Sequence, residues 1–200
     1  LFGGEPRESE SEITQREVDL AASIQKVTEE VVFKICKNAK EITGQDNLCL
    51  AGGVALNCVA NGKLLKSKMF KNIWIQPAAG DAGGSLGAAL HYYHNVLGKN
   101  RIVNKNDSMN GSLLGRKIKN KDIKNFLDKN NIKYTYKHKK ALMSEIANKI
   151  DEENVIGWFQ GRMEFGPRAL GSRSIIGDAK SKKMQSIMNL KIKFRESFRP

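Results

Sequence analysis

Between Gly157 and Ser174 the chain reads G-W-F-Q-G-R-M-E-F-G-P-R-A-L-G-S-R-S. Three arginines (Arg162, Arg168, Arg173), one carboxylate (Glu164) and four glycines stand close together there. Guanidinium forks bind phosphate or carboxylate in bidentate fashion, and glycine lets a backbone approach a ligand closely. The chemistry this composition suits is the grip of an oxyanion. A merely solvated basic loop would gain nothing from Trp158, Phe159, Met163 and Phe165.

Two further stretches are built to approach a ligand with backbone. L-A-G-G-V-A-L-N, residues 50–57, is a strand-to-helix turn. The N–H groups of Gly52 and Gly53 could face a phosphate or nucleoside there, and Asn57 could fix a hydroxyl or carbonyl. The same glycines also suit a tight packing turn. The stretch is neither G-x-x-x-x-G-K-[ST] nor G-x-G-x-x-G. P-A-A-G-D-A-G-G, residues 77–84, places Asp81 among small residues before a helix, with Gly83 and Gly84 behind it. That carboxylate either caps the helix or ligates a metal bridging phosphates. His91-x-x-His94 has a metal-compatible helical spacing but no acidic companion, so it reads as an exposed helix end. His138, within a lysine run, reads as solvated. Residues 191–199 alternate basic and apolar and read as an edge strand with Lys191, Lys193 and Arg195 on one face, either facing a ligand or solvated.

The elements that must position these groups follow from periodicity. Thr14-Gln-Arg-Glu17 is a capping box, after which Leu20, Ile24, Val27, Val31, Ile35 and Ala39 recur at helical spacing until Gly44. Strands are predicted at 47–51 and 73–75 and helices at 54–65 and 85–93. This alternation implies an α/β layer with a largely parallel sheet, whose ligands sit at the carboxyl ends of strands, where both glycine turns fall. Residues 99–115 are polar and aperiodic and read as a linker. Beyond them come a helix at 121–129, a strand at 133–136, a helix at 141–150, strands at 155–159 and 174–176, and a helix at 182–190. The domains are thus 1–98 and 116–200.

The 200 residues carry a formal charge of +13, which favours anionic partners. The basic stretches lack the interleaved aromatics of a nucleic-acid surface, so nucleic acid is not the expected partner. Cys36, Cys49 and Cys58 show no C-x-x-C spacing and read as small buried thiols of a reducing cytoplasm. No apolar run reaches the ~18 residues of a membrane span. The chain opens on Leu1 and ends on Arg199-Pro200 after a basic segment, which reads as a piece of a longer protein.

L-C-L-A-G-G-V-A-L-N-C-V-A-N-G, W-I-Q-P-A-A-G-D-A-G-G-S-L-G-A-A-L, G-W-F-Q-G-R-M-E-F-G-P-R-A-L-G-S-R-S-I and N-L-K-I-K-F-R-E-S-F-R-P together resemble the O-carbamoyltransferases of the nodulation-protein U and cephem-carbamoylation type, across the whole chain. The resemblance implies the C-terminal half of an actin-like (ASKHA-type) ATPase domain, followed by the start of a YrdC-like α/β domain. It implies that carbamoyl phosphate and ATP yield carbamoyl-adenylate and pyrophosphate, and that the carbamoyl group then passes to the hydroxyl of a small-molecule acceptor. It also implies that a divalent metal, iron or alternatively magnesium, assists in the first domain. The family's histidine ligands belong to an early half that this chain lacks, so Asp81 would ligate only in its presence.

On that reading Arg162, Arg168, Arg173, Lys191 and Arg195 serve the phosphates and Glu164 orients an arginine. Gly52, Gly53, Asn57, Gly83 and Gly84 line the nucleotide pocket. Two anions are brought together by cations and oriented amides. No Ser-His-Asp or Cys-His arrangement appears, which favours transfer without a covalent enzyme intermediate. A threonylcarbamoyl enzyme acting on tRNA, and a non-catalytic nucleotide- or anion-binding piece, are the rival readings. The resemblance leaves acceptor and oligomeric state open.

Overall fold

The computed structural model describes residues 2–103 and 106–199. Leu1, Asn104, Lys105 and Pro200, which fall in the expected terminal and linker segments, lie outside the described residues. The chain divides into two compact units. The first comprises residues through Ser108 together with Phe165–Pro167, and the second comprises Met109–Glu164 and the chain from Arg168 on. Among the described residues no helix is long and apolar enough to cross a membrane.

The first unit begins with α1 (Gln15–Thr43), capped by Glu17, whose Oε2 accepts the Thr14 N–H at 3.0 Å. It ends at Gly44, where φ is 64° and the N–H returns to the Lys40 carbonyl at 2.8 Å. Then follow β1 (Asn47–Leu50), a short 3-10 turn (Gly53–Leu56), α2 (Cys58–Lys66), β2 (Asn72–Ile75) and α3 (Ala82–His91), which runs into one π turn (Tyr92–Val96). β1 and β2 pair in parallel, Leu48 opposite Ile73 and Leu50 opposite Ile75. The core gathers Cys36 of α1, Leu64 of α2 and Phe70, with Val32, Phe33, Leu48 and Ile73 packed around them.

The inward face of α1 is not the expected one. Ile24, Val27, Val31 and Ile35 are exposed, whereas Cys36 is buried and Val32 and Phe33 pack on the core. The helix carries apolar residues on two faces, and spacing alone cannot tell which of them meets the sheet. Cys49 and Cys58 are exposed rather than buried, and all three thiols are free.

The second unit holds α4 (Asn120–Lys129), α5 (Lys139–Asp151), β3 (Ile156–Phe159), β4 (Arg173–Ile176) and α6 (Met184–Ile187), the last extended by a π turn (Met188–Ile192). β3 and β4 are antiparallel, Trp158 opposite Ser174, and α5 lies against β3. The expected strand at 133–136 does not form. Tyr134 instead donates its hydroxyl to Asp128 of α4 at 3.1 Å, because alternation without a pairing partner does not hold a strand. The expected edge strand at 191–199 is also absent. The helix continues through Ile192, and Phe194 breaks it with φ of 48°. The fold is a mixed α/β one, with a parallel pair in the first unit and an antiparallel hairpin in the second.

Candidate active site

In the first unit the carboxyl ends of β1 and β2 are tied together. Gln76 N–H reaches the Leu50 carbonyl at 3.0 Å, and Gly52 N–H reaches that of Ala79 at 2.7 Å. Gly52 makes its bond from φ of 99°, where a side chain would be strained. α3 starts hard against the preceding turn, and a Cβ on Gly83 would stand 2.1 Å from the Ala78 carbonyl oxygen. Gly83 and Gly84 help line a cleft of about 430 Å³ with Leu50, Trp74, Gln76 and Gly80. Gly52, Gly53 and Asn57 do not line it. Asn57 instead caps α2, its Oδ1 accepting Ala60 N–H at 3.0 Å. Its Nδ2 donates to Gln25 of α1 at 2.9 Å.

Asp81 precedes α3 with its carboxylate making no capping bond, and it is exposed. Among the described residues no three His, Cys, Asp or Glu side chains gather as metal ligands. Asp81 stands apart from any such group among the described residues. His91 and His94 are otherwise engaged. His91 Nδ1 accepts from Asn95 Nδ2, and His94 Nδ1 donates to the Lys99 carbonyl, both at 2.8 Å.

In the second unit the loop joining β3 to β4 is organised from within. Glu164, only 8% exposed, turns Oε1 toward the backbone N–H groups of Leu170 and Ser172, at 2.8 Å each, and of Arg173 at 3.3 Å. These donors hold its carboxyl at about 2, well below the ordinary carboxylate value, Leu170 contributing most. The sequence suggested that Glu164 orients an arginine side chain; what it holds is loop backbone. Arg173 lies with its guanidinium carbon 3.5 Å from the Phe159 ring centre. Its Nη1 donates to the carbonyls of Gln160 and Ser172, at 2.8 and 2.7 Å. Arg162 Nη1 reaches the Gly115 carbonyl at 2.9 Å, and Gly115 N–H answers to Met163. Two of the three guanidiniums thus brace the loop. Arg168 is exposed, and among the described residues it has no hydrogen bond or ion pair.

Beyond β4 a cleft of about 540 Å³ is lined by Asp178, Lys182, Lys193, Arg195 and Arg199. Arg162, Arg168 and Arg173 do not line it, and neither does Lys191, which is exposed on the π turn. Asp178, 8% exposed, accepts the Lys180 N–H at 2.9 Å and so shapes the entry to α6. Arg195 Nε donates to Oδ1 of Asn189 at 2.7 Å. Asp178 and Asn189 are site residues the sequence reading passed over. The signal for Asn189 was a lone amide between the apolar Met188 and Leu190.

Residues 1–90 match the family described as carbamoyltransferase N-terminus, and residues 147–200 match the carbamoyltransferase C-terminus. The chain is 57% identical over 202 residues to the uncharacterized protein sll1178 of Synechocystis, covering 100% of this chain and 33% of that protein. It is 42% identical to nodulation protein NolNO of Sinorhizobium fredii, covering 94% of this chain and 27% of that one. It is 39% identical to nodulation protein NolO of Bradyrhizobium diazoefficiens, covering 94% and 34%. The chain thus spans about a third of the length of these curated relatives. With both domain models matched in order along one polypeptide, the chain belongs to the carbamoyltransferase family.

Proposed function

We propose that the protein takes part in ATP-dependent transfer of a carbamoyl group from carbamoyl phosphate, through carbamoyl-adenylate, to a hydroxyl of a small molecule. The observation that supports this reading is the cationic cleft of the second unit, where Lys182, Lys193, Arg195 and Arg199 surround a space of about 540 Å³. Four cations around one recess favour a compact, highly charged anion such as carbamoyl phosphate. Formation of the adenylate from the two co-substrates, with one water, releases pyrophosphate from ATP and inorganic phosphate from carbamoyl phosphate. The acceptor oxygen then takes the carbamoyl carbon, AMP leaves, and the hydroxyl proton goes to solvent or base.

On this reading Arg195 contacts the anion within the cleft, and Arg168, which does not line the cleft but has an uncommitted fork, reaches the anion from outside it. Arg162, Arg173 and Glu164 hold the loop that presents Arg168. Lys191 adds field rather than a direct bond. Gly83 and Gly84 would form the wall of the nucleotide cleft in an actin-like domain, with Gly52, Gly53 and Asn57 building the turn beside it. The second unit would be the start of a YrdC-like domain. A divalent metal, when bound, would neutralise phosphate charge, with Asp81 as one of its ligands. Carbamoyl-phosphate-dependent release of pyrophosphate from ATP tests the reading. Pyrophosphate release that is the same with and without carbamoyl phosphate would reject it.

A further inference from the structure

Asn189 is 2% exposed and belongs to the π turn that ends α6. A buried primary amide must place two donors and an acceptor, and here each is used. Oδ1 accepts Arg195 Nε at 2.7 Å. Nδ2 donates to the carbonyls of Ser197, at 3.1 Å, and Arg199. The amide can stand only this way round, since a flipped group would set donor against donor. The backbone adds a second tie between the same two residues, Arg195 N–H to the Asn189 carbonyl at 3.0 Å. Gln185, one turn earlier, donates to the carbonyls of Phe198 and Arg199 at 3.2 and 3.0 Å. The segment from Arg195 to Arg199 is thereby folded back onto α6 instead of running on as a strand.

We propose that Asn189 is a positioning residue: it aims the Arg195 guanidinium into the cationic cleft of the second unit, where that fork grips the phosphate of the carbamoyl donor. The inference rests on the function proposed above. A long arginine side chain has several rotatable bonds, and freezing one fork before the ligand arrives lowers the ordering cost of binding. Only a side chain with one acceptor and two donors in this plane meets Nε and both carbonyls together. Aspartate lacks the donors, and leucine of similar size lacks all three groups.

The test uses the full chain in two measurements. In the first, the ¹⁵N spectrum reads the Nε–H of Arg195, identified by its loss in Arg195→Lys. The wild-type signal is expected to exchange slowly with solvent, and Asn189→Ala is expected to abolish that protection. In the second, calorimetry reads carbamoyl-phosphate affinity. Asn189→Ala and Arg195→Lys are each expected to weaken it about tenfold, and Asn189→Ala added to Arg195→Lys is expected to cost nothing more. Arg195→Lys keeps the charge and leaves the Asn189 Nδ2 bonds to the Ser197 and Arg199 carbonyls in place, so it reports even if Asn189→Ala does not fold.

Wild-type affinity in either single variant would overturn the positioning role, as would losses that simply add. A wild-type chain that binds no carbamoyl phosphate would overturn the functional reading itself, and the spectrum would then record a structural hydrogen bond only.

Discussion

Glu164 Oε1 lies 2.8 Å from the backbone nitrogen of Ser172, eight residues further along the chain. That bond closes the loop that the three arginines occupy. One carboxylate oxygen replaces what would otherwise be a run of unsatisfied N–H groups in a segment without regular structure. In the second unit Met184 is the one buried apolar residue among the described residues. Its companions in burial are Ser112, Glu164, Ser172, Asp178 and Asn189. Polar ties rather than an oily core set the shape of this region, and its stability should respond to charge accordingly.

The Glu164 carboxyl sits at about 2 in the folded chain, against an ordinary 4.5. A depressed carboxyl stabilises the fold above its unfolded value, and that contribution is lost as pH falls through the folded value. Wild-type protein should therefore lose stability between about pH 4.5 and pH 2. Glu164→Gln should be less stable at neutral pH and show a shallower loss over that window. Denaturant midpoints taken across the window read the slope. Asp46, held at about 2 by Lys40 and Lys71, contributes in both proteins and cancels in the difference.

Gly83 and Gly53 should part company on substitution. A Cβ at Gly83 meets the Ala78 carbonyl oxygen at 2.1 Å, while one at Gly53 meets nothing within 4 Å. Gly83→Ala should destabilise by about 1–3 kcal/mol, the usual cost of forcing extra volume into a packed position. Gly53→Ala should stay within about 0.5 kcal/mol of wild type. Thermal unfolding of the two variants checks this, and equal melting temperatures would contradict the close approach of α3 to its preceding turn.

Arg168 and Arg173 differ in what they hold. Arg173 donates to Gln160, Gly161 and Ser172 carbonyls and covers the Phe159 ring. Arg173→Lys should lower stability by about 1–2 kcal/mol, since the planar fork and its stacking are lost together. Arg168→Lys should leave the melting temperature unchanged and reduce carbamoyl-phosphate affinity about tenfold, the cost of one charge-assisted contact. An Arg168→Lys chain with wild-type affinity would remove this loop from the anion site.

Asn57 is predicted to matter as a cap. Asn57→Ala removes the acceptor for the Ala60 N–H and should cost about 1 kcal/mol. Asn57→Asp keeps that acceptor while losing the amide bond to Gln25, so it should fall between wild type and alanine. Chemical denaturation of the three proteins orders them. An alanine variant as stable as wild type would show that the cap contributes nothing.

Much of the local structure was legible in the residues. Thr14, Glu17 and Gly44 marked both ends of α1, because capping chemistry is local. The strand–glycine–helix alternation located β1, β2 and α3, because Gly52 and Gly83 stand where a side chain has no room or no permitted backbone angle. The long glycine and arginine motifs pointed to the family. Which face of α1 turns inward was decided only by packing, since both Val31 and Val32 lie on apolar stripes. Whether residues 133–136 and 191–199 become strands depended on partners distant in sequence, and a strand has no hydrogen bonds of its own to make. The division of labour among the arginines was likewise tertiary. A guanidinium that braces backbone carbonyls and one that meets a side-chain amide are the same residue in a sequence, and only the positions of Gly115, Gln160 and Asn189 separate them.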